Sequence, residues 1–240
     1  QLIHALLTQD LSSEVAKAIY PALVPESITP KSHLYIGLSF ADLGDEKNAM
    51  EHLDLYIRNA QNQGIAAATI AEQLVWKKHH KLAKIYGQKA FQYAPNTPLA
   101  SYWKGMTHLL DQDPKQAREH IDLALSLGLA NSHILLPQTI HAALETNQLE
   151  IAKTYTKYIL KTNIFGTGAA IRTWARSEHA KEGLHFFEAE LTPVMANLMS
   201  MPTNELVIPL TGLYEAAGYP DQTFRIYNQL IQQNTKVRST

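Results

Sequence analysis

Apolar residues recur along this chain at three- and four-residue steps, and short polar or glycine-containing clusters interrupt them at intervals of one short helix. Leu34, Leu38 and Ala41 share one face of a helix expected from about Lys31 to Leu43. Gly44 then closes it, since glycine takes the left-handed conformation that a helix end often needs. Asp45 offers an N-cap to a second helix that carries Ala49, Leu53, Tyr56 and Ile57 inward. No stretch alternates apolar and polar residues in the manner of a strand. The pattern predicts an all-helical chain built of short helix–turn–helix pairs.

The pairs repeat. Ala49, Ala83 and Ala117 are 34 residues apart, and so are Ile57, Phe91 and Leu125, and Gly37, Ala71 and Gly105. A fixed period of this size marks units that bury their apolar faces by stacking on their neighbours. Residues 30–163 read as four regular units, with corners expected at Gly44–Asp45, Lys78–His79, Asp111–Pro114 and Thr146–Asn147. The step from Ala117 to Ala152 is 35, an insertion of one residue in a loop. Residues 1–29 read as a truncated or degenerate first unit, in which Pro21 ends or kinks a helix. Residues 164–240 read as two degenerate units separated by a Met-rich insertion, PVMANLMSMP. The chain begins at Gln1 rather than Met, which is expected of a fragment or a processed form.

These columns, with the Gly44–Asp45 corner and the small residues Ala49, Ala83 and Ala117, resemble the tetratricopeptide repeat (TPR) family, most closely over residues 30–160. The sequence departs from the family pattern at His33, which stands in the first Trp column, and at Lys78–His79, which replaces the Gly–Asp corner. The resemblance implies a right-handed α-solenoid of about six repeats in a single array. It further implies a concave face, lined by the first helix of each pair, that holds a peptide or a partner's helix. In that register the lining includes Lys31, Leu34, Leu38, Ile65, Glu72, Val75, Tyr102, Met106, Leu109, His141 and Arg172. An apolar groove containing an aromatic and an adaptable Met suits an apolar peptide or amphipathic helix. The Lys, Asn and Arg clamp with which some relatives hold acidic C-termini is replaced by Leu34, Leu38, Tyr102 and Met106, so that ligand is not expected. The bland alternative is that the same residues pack against neighbouring hairpins.

Composition narrows the function classes. The 240 residues are 45% hydrophobic and 18% charged, the balance of a folded chain. With 21 basic and 22 acidic side chains there is no basic excess, so no nucleic-acid partner is expected through this segment. The local run from Trp76 to Lys81 is basic but coincides with a corner, where a solvated turn is expected. No apolar run is long enough for a transmembrane span. There is no cysteine, which removes disulfides, thiolate metal sites and thiol nucleophiles.

The eleven histidines form no H-E-x-x-H, and His133 and His141 share a helix face without a carboxylate to complete a metal site. No nucleophile elbow or phosphate-binding glycine loop occurs. Glu182, Glu188 and Glu190 near His179 and His185 read as an exposed acidic helix face. The expectation is therefore a non-catalytic scaffold without cofactor or metal, in the bacterial cytoplasm or periplasm, with a protein or peptide partner. Self-association through an apolar last helix at Phe224, Tyr227 and Ile231 is compatible with it. The alternative is a regulatory or sensor module cut from a larger bacterial transcription regulator or enzyme. A glycan-active helical enzyme is a third, weaker reading.

Overall fold

A computed structural model describes residues 29–129, 132–162, 164–191 and 203–223. The expected helices at the front of the chain, the Met-rich insertion and the Phe224–Ile231 stripe lie outside the described residues. Residues 220–223 are helical, no strand occurs among the described residues, and the longer helices are α1 (Pro30–Asp42), α2 (Glu46–Arg58), α3 (Gln63–Trp76), α4 (His80–Tyr93), α5 (Pro98–Leu110), α6 (Pro114–Ser126), α7 (Ser132–Glu145), α8 (Leu149–Thr162), α9 (Ile164–Ala175), α10 (Ala180–Leu191) and α11 (Thr203–Ala216). None is long and apolar enough to cross a membrane. The chain divides into two compact units, one up to Ala130 and one from Asn131.

The first unit contains three helical hairpins, α1–α2, α3–α4 and α5–α6, which stack in order as a short helical solenoid. Each helix begins where its sequence allows the first N–H groups to be satisfied. Side chains of Thr29, Asp45, Asn62, Thr97 and Asp113 accept from backbone N–H groups three residues on, at 3.0–3.2 Å. Pro30, Pro98 and Pro114 occupy the first helical turn, where a missing N–H costs nothing. His79 occupies the column of Asp45 and Asp113 but makes no side-chain cap. Its ring instead reaches Asp42 of the preceding hairpin, Nε2 to Oδ1 at 2.7 Å.

All the hairpin corners in the first unit share one hydrogen-bond pattern. Gly44 N–H donates to Ala41 O and Asp45 N–H to Phe40 O, both at 2.9 Å. Lys78 and His79 do the same to Val75 and Leu74, and Gln112 and Asp113 to Leu109 and His108. The residue at the bend has positive φ each time: 73° at Gly44, 62° at Lys78 and 60° at Gln112. Asn147, at 57°, makes the same corner between α7 and α8. The left-handed residue thus recurs at the repeat step even where the sequence lacks the glycine that would favour it.

Small residues let the paired helices touch. Ala49, Ala83 and Ala117 are at most 1% exposed. A Cβ on Gly37 would lie 2.6 Å from Leu53 Cγ, and one on Gly105 would lie 2.6 Å from Ile121 Cγ1 and 2.9 Å from Ala117 O. In the middle hairpin the large and small roles shift. Ala71 occupies the Gly37 column, Gly87 the Leu53 column, and Trp103 of α5 fills the space at Gly87.

In the second unit α7 and α8 pair, α9 packs on both, α10 on α9, and α11 on α9 and α10. Trp174 is fully buried there, and its indole N–H donates to Thr156 Oγ1 at 2.9 Å. Gly183 passes the ring so closely that a Cβ would meet Trp174 Cε3 at 2.7 Å.

Candidate partner-binding face

The first helices of the hairpins carry the residues expected to line a groove, and most of them are packed inside the chain. Leu34 and Leu38 of α1 are buried, as are Val75 of α3 and Tyr102, Met106 and Leu109 of α5, the last four with no exposure at all. These apolar side chains are thus largely withdrawn from solvent, and their burial stabilises the packing of the helices. Glu72 is half-buried, and burial raises its carboxyl above the usual range. Arg172 of α9 is exposed, and His141 of α7 is half-buried.

What remains open on α1 and α3 is a stripe that keeps Lys31 and Ile65 of the expected lining and otherwise runs one position round from it. It runs Lys31, Tyr35, Ser39 and Asp42 on α1, and Ile65, Thr69, Gln73 and Trp76 on α3, each residue 34 after its counterpart. Ile65 and Trp76 are 56% and 40% exposed, large apolar side chains held at the surface. Ser39 and Thr69 donate back to the carbonyls of Tyr35 and Ile65, at 2.9 and 3.0 Å, which keeps their polar atoms on their own helices. On α5 the equivalent stripe is closed, because Trp103 and Leu110 occupy it and both are buried. The polar identities at positions 35, 39, 69 and 73 were the sequence signal for this face.

The basic corner is engaged within the unit. Lys77 and His79 both meet the Asp42 carboxylate at 2.7 Å, and Lys81 meets Glu46 at 2.6 Å. Lys84 pairs with Asp111 of the next hairpin, and Lys89 with Asp54 of the previous one. The expected solvated turn is therefore a seam of charge between hairpins, in which Asp42 holds Lys77 and His79 and Glu46 holds Lys81. Tyr86 joins the seam by donating to Asp54 Oδ1 at 3.0 Å, and burial together with that carboxylate pushes its phenol well above the usual range.

Two carboxylates of the acidic face of α10 have partners. Glu190 pairs with Lys157 at 2.7 Å, and Glu188 accepts from the Tyr214 hydroxyl at 3.0 Å. Burial, aided by that carboxylate, pushes the Tyr214 phenol up to about 12. Among the described residues no group of three or more His, Asp or Glu side chains is placed to hold a metal ion. His133 is exposed on the first turn of α7, beside the backbone of Gly166.

Two pairs of histidines that sequence spacing did not reveal cross the hairpins of the first unit. His33, in the column where the repeat pattern has Trp, places Nδ1 at 2.9 Å from Nδ1 of His52. His108 stacks on His120, with ring centroids 5.5 Å apart and planes 12° from parallel. Burial lowers the pKa of His33, His52 and His120, and in the last two the neighbouring His adds to it. His52, Tyr86 and His120 form one column at the 34-residue step, each shifted toward its neutral form.

No protein-family model matches this chain, and no curated protein matches it in sequence. Among solved structures, the chain is similar to PilW, described as a widely conserved type IV pilus biogenesis factor. The match covers 84% of this chain and 91% of that one, at 14% sequence identity and a TM-score of 0.43.

Proposed function

We propose that this chain is a non-catalytic protein-interaction scaffold of the tetratricopeptide kind, which presents the first helices of its hairpins to a peptide or amphipathic helix of a protein partner. The observation that carries this reading is the open stripe on α1 and α3, where Ile65 and Trp76 stay exposed while the rest of the apolar surface of those helices is buried. A stripe with a large apolar side chain exposed at each end of α3 fits a partner helix lying along it. In the second unit, exposed Arg172 on α9 is the equivalent candidate contact. Leu34, Leu38, Val75, Tyr102, Met106 and Leu109 support the face from beneath, so their substitution would act on folding.

The test is site-specific photo-crosslinking in the full chain, with the crosslinker placed at Ile65, at Glu72 or at exposed Glu119 of α6. The expected result is one partner of discrete mass captured from positions 65 and 72 and not from 119, and lost on Trp76→Asp in a variant that retains its helix content. Equal capture from all three positions would remove this face from consideration.

A further inference from the structure

We propose that a ladder of ion pairs holds the first hairpin closed on the second, and that this joint opens as ionic strength rises. Hairpin α1–α2 supplies the acids of the ladder and hairpin α3–α4 the bases. Lys77 meets Asp42 at 2.7 Å, Lys81 meets Glu46 at 2.6 Å and Lys89 meets Asp54 at 2.5 Å. Each lysine stands 35 residues after its carboxylate, so the three pairs are successive rungs along one edge of the two hairpins. His79 shares Asp42 at 2.7 Å, and the Tyr86 hydroxyl shares Asp54 at 3.0 Å. Lys89 also lies 4.8 Å from the centre of the Tyr86 ring, which ties the last rung to the body of α4.

The ladder does not recur at the next joint. One repeat on, the acidic positions hold Trp76, His80 and Gln88, and the basic positions hold Asp111, Lys115 and Leu123. Lys84 pairs with Asp111 there, but packing closes that joint: α4 packs extensively on α5, and Trp103 is buried against Gly87. At the first joint α2 packs far less on α3. Thr69 occupies the Trp103 column, stays partly exposed, and donates to Ile65 O of its own helix. Leu53 stands in the Gly87 column, so the glycine-and-tryptophan wedge of the second joint is missing from the first.

A joint with little apolar interlock depends on its charges. All six side chains of the ladder are partly exposed, so dissolved ions reach them. Exposed pairs are weak one by one, and the ladder acts through the attraction between its two rows. That attraction is screened as the Debye length falls from about 30 Å at 0.01 M salt to about 3 Å at 1 M. Opening the joint separates α1 from α3, the helices that carry the open stripe. Its effect on a partner rests on the scaffold reading, whereas the opening itself is measured without one.

Spin labels on the full chain test the proposal, since the sequence has no cysteine and introduced ones are labelled alone. Arg58, Gln92 and Ser126 are exposed, 34 residues apart, near the ends of α2, α4 and α6. Labels at 58 and 92 span the first joint, and labels at 92 and 126 span the second. Between about 0.01 M and about 1 M NaCl, the dipolar distance across the first joint is expected to lengthen, with the open fraction rising on the order of threefold. The second joint is expected to hold. Lys81→Gln with Lys89→Gln should open the first joint at low salt and lose most of the salt response. Lys81→Glu with Lys89→Glu should reverse its sign, so that added salt closes the joint. Should this last variant fail to fold, the glutamine variant and the wild type decide. An equal response at both joints, no response at the first, or an undiminished response in the folded glutamine variant would overturn the proposal. Failed crosslinking at positions 65 and 72 with the salt response intact would remove the partner and leave the joint.

Discussion

Tyr86 of α4 and Asp54 of α2 are 32 residues apart in the chain and 3.0 Å apart in the structure, with the phenol donating to the carboxylate. Lys89 reaches the same carboxylate, so one acidic group receives two donors from the following hairpin. Tyr86 itself is fully buried. Replacing it with Phe removes the donor while keeping the ring, and should cost about 1.5–3 kcal/mol in chemical denaturation, the range for a hydrogen bond to a charged group.

The same contact sets an alkaline limit. The folded phenol has its pKa raised above the unfolded value of 10.0, so its contribution is fully present below that value and is lost as pH rises beyond it. Tyr214, pushed up to about 12, acts in the same direction. A spectrophotometric titration should show that these two tyrosines do not ionise with the exposed ones, and melting temperature should begin to fall above about pH 10. In Tyr86→Phe the fall should be shallower.

Close helix contact at Gly105 makes an opposite pair of predictions for glycine. Gly105→Ala would drive a methyl into Ile121 and the carbonyl of Ala117, and should destabilise by about 1–3 kcal/mol. Ala117→Leu, at a fully buried position of the same contact, should do the same or more. Gly212 of α11 has nothing within 4 Å of a built Cβ, so Gly212→Ala should raise stability by about 0.5–1 kcal/mol through helix propensity. Thermal melts of the three variants separate packing from propensity.

The left-handed corners predict stabilising glycines. Gln112 holds φ of 60° at an exposed position, a conformation that costs a non-glycine residue about 1 kcal/mol or more. Gln112→Gly relieves that cost and gives back part of it as unfolded-chain entropy, for a net gain of about 0.5 kcal/mol. Asn147→Gly should gain less, since asparagine tolerates this region better. Paired denaturant curves would reveal the order, and a loss of stability in Gln112→Gly would contradict it.

Thr156 and Trp174 give the second unit its own test. Thr156→Val leaves the buried indole N–H without its acceptor and should cost about 1–3 kcal/mol, with a loss of near-UV signal from the ring. By contrast, Asp42→Asn removes half-exposed ion pairs to Lys77 and His79 and should cost under about 1 kcal/mol, less in high salt.

Much of the fold was legible because it depends on local rules and on one repeated distance. Gly37, Ala49, Ala83 and Gly105 announced where helices touch, and Asp45 and Asp113 announced where they start. The corner at Lys78–His79 was placed by its period although its residues are unsuited to it, since the backbone bonds of Val75 and Leu74 impose the bend. The binding face was less legible. Tyr102, Met106 and Leu109 look the same in sequence whether they line a groove or fill a core, because hydrophobic spacing reports which helix face is apolar and not what covers it.

The helix pairs, their period and the small-residue contacts were readable in residue order alone, since each follows from side-chain size and spacing within some 34 residues. The open positions of the first helices, the carboxylates that bind the basic corner and the meeting of His33 with His52 emerge on packing. Those depend on distances across hairpins, set by how the helices rotate as they pack, and no one-dimensional spacing encodes that rotation.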